Sequence, residues 1–190
     1  MSLQFSRARG LAAFVGLFVL GGLAVATVVP RDLSKQLELI KAADGGIVVY
    51  GNITAAKSVR HESTPDLPWT VLTVRVDTAI APATTTGELS VWFPGFGEDR
   101  LTITPSADET SIGENVVLFL STDPAVRAVD PNAYRIDSFA EAFRTQKNRK
   151  GEVVVLGEGA GSAIESNVKL TDLQPVVQST YDALIKSAKK

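Results

Sequence analysis

Short segments with an apolar side chain at every second position fill the middle of the chain, and this period limits the possible folds most. In segment 70–80, TVLTVRVDTAI, the residues Leu72, Val74 and Val76 alternate with polar ones. Such alternation is typical of a half-buried strand with one wet face. Segment 115–120, NVVLFL, is apolar throughout, which predicts a central strand covered on both faces. The pattern therefore predicts a mainly β protein.

Seven segments of this kind follow one another between residues 47 and 156. They are 47–53, 70–80, 88–93, 115–120, 133–136, 140–146 and 152–156. Pro, Gly, Asp and Thr separate them, and no long helical pattern lies between them. This order predicts a small antiparallel β-barrel, closed or nearly closed, or a sandwich. The last two strands are expected to form a tight hairpin across 148–151, NRKG.

A helix is predicted on each side of the strands. Residues 27–46 are expected to form a lead-in and a short helix, because Leu33, Leu37 and Ile40 lie on one helical face. The strand region and a C-terminal helix would together form one domain over 47–190.

The C-terminal helix is predicted over 171–188, with Thr171 and Gln174 forming a capping box. It is amphipathic, and its apolar stripe is expected to cover one end or face of the barrel. The stripe consists of Leu173, Val176, Val177, Tyr181, Leu184 and Ile185.

The first thirty residues indicate export. Arg7 and Arg9 precede the apolar run 11–23, and Ala24-Val25-Ala26 has the A-x-A form of a cleavage site. This predicts a signal peptide over 1–26. Residues 10–29 also have the length of a retained membrane anchor. Both alternatives place the rest of the chain outside the cytoplasm, so the protein is expected to be secreted or in the cell envelope, with membrane contact only through 10–29 if uncleaved.

The composition supports an exported bacterial protein. The chain of 190 residues has no cysteine, whereas secreted eukaryotic domains of this size usually carry disulfides. Cleavage after residue 26 would remove Arg7 and Arg9 and change the net charge from −2 to −4. A mildly acidic chain has no general attraction to nucleic acid, so no nucleic-acid partner is expected.

The glycines of segment 153–164, VVVLGEGAGSAI, resemble the start of a dinucleotide-binding turn. That fingerprint is G-x-G-x-x-G or G-x-G-x-x-A, with a helix that begins at its last position. It also requires a second strand with an acidic residue about twenty positions further on. Position 162 is serine, and residue 177 falls inside the predicted terminal helix. The segment is therefore interpreted as a flexible exit from the last strand, and no cofactor is expected.

No catalytic or metal-binding set is recognisable. His61 is the single histidine, which excludes sites that need two imidazoles, and it is expected in a polar loop over 57–68. The chain is therefore expected not to be an enzyme. One alternative is an extracytoplasmic hydrolase that uses Asp77 with Glu88 as paired carboxylates. Another is a membrane-tethered structural envelope protein.

Two groups of residues are candidates for binding a protein or an anionic partner. The aromatic group flanks the Pro94-Gly95 turn, where Phe93 is expected to face the core, and its members are either exposed anchors or buried packing residues. The second group is basic and lies near the predicted hairpin tip, as a site for an anion or as a solvated turn. The candidates are Trp92 and Phe96 in the first group, and Arg144, Lys147, Arg149 and Lys150 in the second.

The order of four segments resembles a group of small exported bacterial β-barrel domains. These segments are AADGGIVVYGNITAAKSVR, TVLTVRVDTAI, GENVVLFLS and YRIDSFAEAFRT, and the likeness covers residues 43–156. The domains are similar in layout to the OB-like barrel of netrin and tissue metalloprotease-inhibitor domains. The resemblance implies an OB-like barrel and a binding role. This chain lacks the inhibitors' N-terminal cysteine, and only Gly95 and Gly97 correspond to the glycine pair of the bacterial domains, so the inhibitory mechanism is not implied.

Overall fold

The computed structural model describes residues 32–61, 64–94, 112–136 and 141–189. The expected leader and Phe96 lie outside these residues. No helix in the described part has both the length and the apolar composition needed to span a bilayer. In chain order the elements are α1 Leu33–Leu39, a 3-10 helix Ala42–Asp44, β1 Ile47–His61, β2 Thr64–Ala81, β3 Glu88–Pro94, β4 Asn115–Leu120, α2 Pro124–Val129, β5 Ala133–Arg135, β6 Ala142–Lys147, β7 Val153–Val155, β8 Val168–Lys169 and α3 Leu170–Ala188.

The eight described strands form one sheet in the order β5-β3-β2-β1-β4-β6-β7-β8, which confirms the mainly β prediction. The sheet does not close into a barrel, because β6, β7 and β8 continue it beyond β4. The expectation of a wholly antiparallel sheet is also wrong, since β3 and β5 are parallel. The chain between them contains β4 and α2, which is long enough to bring β5 back in the direction of β3.

An isolated bridge joins the edge strand β5 to the residue that follows the interior strand β4. Ser121, directly after β4, and Arg135, at the end of β5, exchange two backbone hydrogen bonds of 2.9 Å. The edge strand β5 therefore returns to the end of β4, although no ladder forms between them in the described part of the chain.

Both faces of the central strands are buried, as predicted for β4. Alternate residues of β4 enter two cores, which we name the helix-side core and the inner core. The helix-side core lies under α1 and α3 and includes Val48, Tyr50, Val117, Phe119, Phe143, Val177 and Tyr181. The inner core lies on the opposite face and includes Val49, Ile53, Leu72, Val74, Leu89, Val91, Phe93, Val116 and Leu118.

The hairpin of β1 and β2 is longer than predicted. Residues 57–61 were expected in a polar loop, but they continue β1, and β2 begins at Thr64. Cross-strand packing explains the extension, because Val59 lies opposite Trp69. Trp69 and Val71 form an outer cluster with Trp92, Val126 and Ala133, so the polar segment is held against a buried partner.

The first helix agrees with prediction. The Asp32 carboxylate caps α1 by accepting a hydrogen bond of 2.8 Å from the Lys35 backbone N–H. After α1 the chain turns closely, and a Cβ added at Gly46 would lie 2.0 Å from the Ile40 carbonyl oxygen. Only glycine fits at this position.

The predicted C-terminal helix is confirmed and begins one residue before its expected start, but its predicted capping box is wrong. α3 begins at Leu170 with Lys169 as N-cap and without a side-chain cap, so Thr171 and Gln174 form no capping box. The strand β8, which the sequence did not indicate, pairs with β7 and runs directly into α3. Pairing at the sheet edge therefore sets the first residue of the helix. The stripe of α3 is also narrower than predicted, because Val176 is 53% exposed.

Tyr181 connects α3 to the chain that enters β1. Its hydroxyl lies 2.8 Å from the Gly46 carbonyl oxygen and 3.2 Å from that of Ala42. The side chain is 3% exposed, and burial raises the pKa of its phenol. A neutral phenol therefore holds the buried start of β1.

Candidate binding site at the basic end of the sheet

The predicted hairpin between β6 and β7 is confirmed and has an ordered tip. Gly151 adopts a φ of +79°, a conformation that suits glycine. Asn148 donates its backbone N–H to the Glu152 carbonyl and accepts from the Gly151 N–H, both at 2.9 Å. Its side-chain oxygen also accepts the N–H groups of Lys150 and Glu152 at 2.9 and 3.0 Å. These bonds fix the backbone that carries the basic residues.

A second set of contacts ties this tip to β8. The Glu152 carboxylate accepts from the Asn148 amide at 2.7 Å and from the Lys169 ammonium at 2.9 Å. These hydrogen bonds lower the pKa of Glu152. The Glu152 carboxylate thus bonds to Asn148 and Lys169, and neither of these belongs to the group of basic candidates at the tip.

The basic candidates at the tip differ in accessibility. Lys147, Arg149 and Lys150 are exposed, and no described acidic side chain forms an ion pair with them. Arg144 lies further back on β6, is half-buried and is not free. The tip therefore presents three available cations.

Two further cations lie at the same end of the sheet. β1 and β6 are both antiparallel to β4, so they run in the same direction and both continue past the start of β4 at Asn115. The extension of β1 carries Lys57 and Arg60, which are exposed and without an ion pair among the described residues. Sequence reasoning missed them because it treated this segment as a loop. We name Lys57, Arg60, Lys147, Arg149 and Lys150 the basic end.

The aromatic candidate Trp92 is buried. It is 6% exposed and packs in the outer cluster with its ring centroid 6.2 Å from that of Trp69. The alternation of β3 explains this, because Phe93 enters the inner core as predicted and Trp92 therefore points to the opposite side. The Arg135 guanidinium lies 5.3 Å from the Trp69 ring centre. Trp92 thus takes the packing role that the sequence left open.

The glycine segment after β7 is a closed loop. Gly159 and Gly161 have φ values of +93° and +87°, but the next helix begins only at Leu170, after β8. The Gly161 N–H donates to the Glu165 carboxylate at 3.0 Å. The Gly157 N–H donates to the Asn167 side chain at 3.0 Å. Donors that would hold a phosphate are therefore already bonded, and these bonds make the loop more ordered than the expected flexible exit.

The proposed pair of carboxylates is not arranged in a cleft. Asp77 lies on β2, and its carboxylate forms an ion pair with Arg75, with 3.2 Å between Asp77 Oδ1 and Arg75 Nε. The Arg75 side chain is 60% exposed. Glu88 lies opposite Arg75 in the register of β2 and β3 and is exposed. Arg75 and these two carboxylates form a cross-strand charge arrangement on a wet face.

Two further features of the described residues concern metal and small-molecule binding. The described residues contain no group of three or more His, Cys, Asp and Glu side chains suited to a metal. A half-open cleft of about 260 Å³ lies between α1 and the end of α3, beside Leu37, Lys41 and Leu184. It is smaller than the roughly 300–1,000 Å³ of most small-molecule pockets.

Comparison of the chain with protein-family models, with curated proteins and with solved structures finds no match.

Proposed function

We propose that the protein is an exported, non-enzymatic binding module of the cell envelope, and that its basic end binds an acidic patch on a partner protein. The observation that carries this proposal is the set of five exposed cations without an ion pair among the described residues. They come from two strands that pass the start of β4 at one end of the sheet.

The order of the hairpin tip supports a binding role. Lys147, Arg149 and Lys150 are carried by a backbone that Asn148 holds through several hydrogen bonds. A backbone that is already ordered loses less conformational entropy on binding. The tip is therefore suited to a specific contact as well as to keeping the chain soluble.

The charge balance indicates the kind of anion. The whole chain has a net charge of −2, so a long polyanion such as a nucleic acid would be repelled away from the basic end. A compact acidic patch on a folded protein can contact the basic end without lying close to the negative charges on the rest of the chain. Binding should weaken with salt, because exposed charges are screened.

We also propose that the first five strands are a partly open, OB-like barrel related in layout to netrin-type domains. The order β5-β3-β2-β1-β4 supports this, together with the parallel β3–β5 pair and the Ser121–Arg135 bridge. OB-type folds commonly use strand faces and hairpin loops for binding, which fits a contact at the end of the β1–β2 hairpin.

The proposal is tested by crosslinking in the native cell envelope with mass spectrometry of the captured proteins. The variant K147Q/R149Q/K150Q removes three cations from the basic end, and K35Q/K186Q/K189Q removes three exposed cations elsewhere. We expect the first variant to capture its main partner about tenfold less, as the loss of about 1.4 kcal/mol implies, and the second to match the wild type. Equal capture by the two variants would refute the proposal.

A further inference from the structure

Beyond the start of β4, one edge of β1 is not paired with any described strand. Its first residues pair with β2 on one side and β4 on the other, and the last bonds to the β4 side join Ile53 to Glu114 and Gly113 at 2.9 and 2.7 Å. From Thr54 to Arg60, β1 pairs with β2 alone among the described residues. One side of this segment therefore offers backbone groups that have no partner among the described residues.

The register identifies which groups these are. Val76 donates its N–H to its direct partner Gly87 at 2.9 Å, so the even-numbered residues of β2 turn their backbone groups towards β3. The β1 residues opposite them must then turn away from β2. These are Ala56, Ser58 and Arg60, which present their N–H and C=O groups at the open edge.

The side chains along this edge leave the backbone accessible. Ser58 is exposed and Ala56 is half-buried, and both side chains are short. Lys57 and Arg60 are also exposed, and because three positions separate them, they point to opposite faces of the strand. An added strand would therefore meet a positive charge on each of its faces.

The charges indicate which occupant fits. Strand edges that carry Lys resist pairing with other copies of the same edge, and two copies of β1 would bring Lys57 and Arg60 of both chains together. Acidic side chains would instead be attracted. Backbone pairing with a sheet edge is a common way of binding extended peptides.

We propose that an extended acidic segment of the partner docks as an additional strand along Thr54–Arg60 of β1. Its backbone pairs with Ala56, Ser58 and Arg60, and its carboxylates lie near Lys57 and Arg60 on the two faces. The inference rests on the proposed function, since it specifies how the acidic partner is held at the basic end.

The test uses the whole protein and a capped probe peptide, Thr-Glu-Glu-Thr-Thr-Glu-Glu-Thr, which places glutamates on both faces of a strand. A fully N-methylated peptide of the same sequence keeps the charge and loses the backbone donors. We expect the methylated peptide to bind the wild type at least about tenfold more weakly, because several hydrogen bonds are lost.

The protein side is tested with Ser58→Pro and its matched control Ser58→Ala. The proline removes an N–H that points away from β2, so the hairpin keeps its own bonds, whereas alanine removes only the hydroxyl. We expect weaker binding of the unmethylated peptide by Ser58→Pro alone. In the wild type, the N–H groups of Ala56, Ser58 and Arg60 should gain protection from hydrogen exchange when the peptide binds.

Two kinds of failure are distinguishable. Equal affinity for the two peptides, absence of any peptide binding, or no gain of protection at the three N–H groups would overturn the added-strand proposal. The exchange measurement uses the wild type, so it decides even if Ser58→Pro fails to fold. Envelope capture that still depends on Lys147, Arg149 and Lys150 would leave the proposed function standing. Capture that does not depend on them would reject that function independently.

Discussion

The two halves of β1 belong to one continuous strand but have different environments. From Ile47 to Ile53 the strand pairs on both sides and is buried except for its half-buried Asn52. From Thr54 to His61 it pairs on one side, and its described side chains are exposed or half-buried. The first half contributes to both cores, and the second half carries two cations of the basic end. The buried half that stabilises the fold and the half that we propose to bind a partner are therefore separated along a single strand.

This separation has a simple physical cause. β4 begins beside Asn52, where the Asn52 amide donates to the Gly113 and Glu114 carbonyls at 2.8 and 3.2 Å. Beyond this point β2 is the only described strand beside β1, and burial of Trp69 on β2 keeps the hairpin extended. The second half thus depends on its neighbour for its structure, while its other edge is not paired with any described residue.

The largest expected loss of stability comes from a substitution in the buried first half of β1. Ile53→Ala truncates a side chain that is 1% exposed in the inner core, so the free energy of unfolding should fall by about 2–5 kcal/mol. Val59→Ala in the second half removes a half-buried side chain and should cost about 1 kcal/mol. Urea unfolding at equilibrium measures both. A cost for Val59→Ala as large as that for Ile53→Ala would contradict the division of β1.

A smaller effect is expected where α3 holds the start of β1. Tyr181→Phe leaves the Gly46 and Ala42 carbonyls without the hydroxyl, which should lower the free energy of unfolding by about 1–3 kcal/mol. Val176→Ala, on the exposed side of the same helix, should change it by less than about 0.5 kcal/mol. Thermal and urea unfolding of the two variants make the comparison. If the two variants were equally stable, Tyr181 would not anchor the strand.

The smallest effect concerns alkaline pH. Burial, together with the negative charge of Asp77, raises the pKa of Tyr50 in the first half, and burial raises that of Tyr181. The unfolded phenols ionise near pH 10, before the folded ones. The stabilisation is therefore complete below about pH 10 and is lost as the pH rises through the folded pKa values.

Unfolding in urea at several pH values tests this expectation. Tyr50→Phe should reduce the loss of stability as the pH rises above about 10. The matched Val59→Ala variant, which changes no titratable group, should retain the wild-type slope. An unchanged slope in Tyr50→Phe would show that its phenol does not contribute.

The sequence allowed prediction wherever burial imposed a period. The segments 70–80 and 115–120 show their alternating or continuous apolar pattern directly, and both are strands. The tip residues Lys147, Arg149 and Lys150 were found because the hairpin signal was local. Local patterns of this kind can be recognised from a single sequence.

Features set by distant contacts were not predictable. Residues 57–61 are polar apart from Val59, and they form strand because Trp69 is buried opposite Val59. The start of α3 depends on the pairing of β8 with β7, which the composition of Thr171 and Gln174 does not reveal. In each case a partner far along the chain decides the local structure.

The short outer strands of the sheet have a consequence for self-assembly. β5 has three residues and is tied to Ser121, and β8 has two residues and continues into α3. Neither outer edge is long enough to template stacking into fibrils. Among the described strands, unwanted polymerisation would have to start on the cationic stretch of β1, so neutralising Lys57 and Arg60 should carry an aggregation risk.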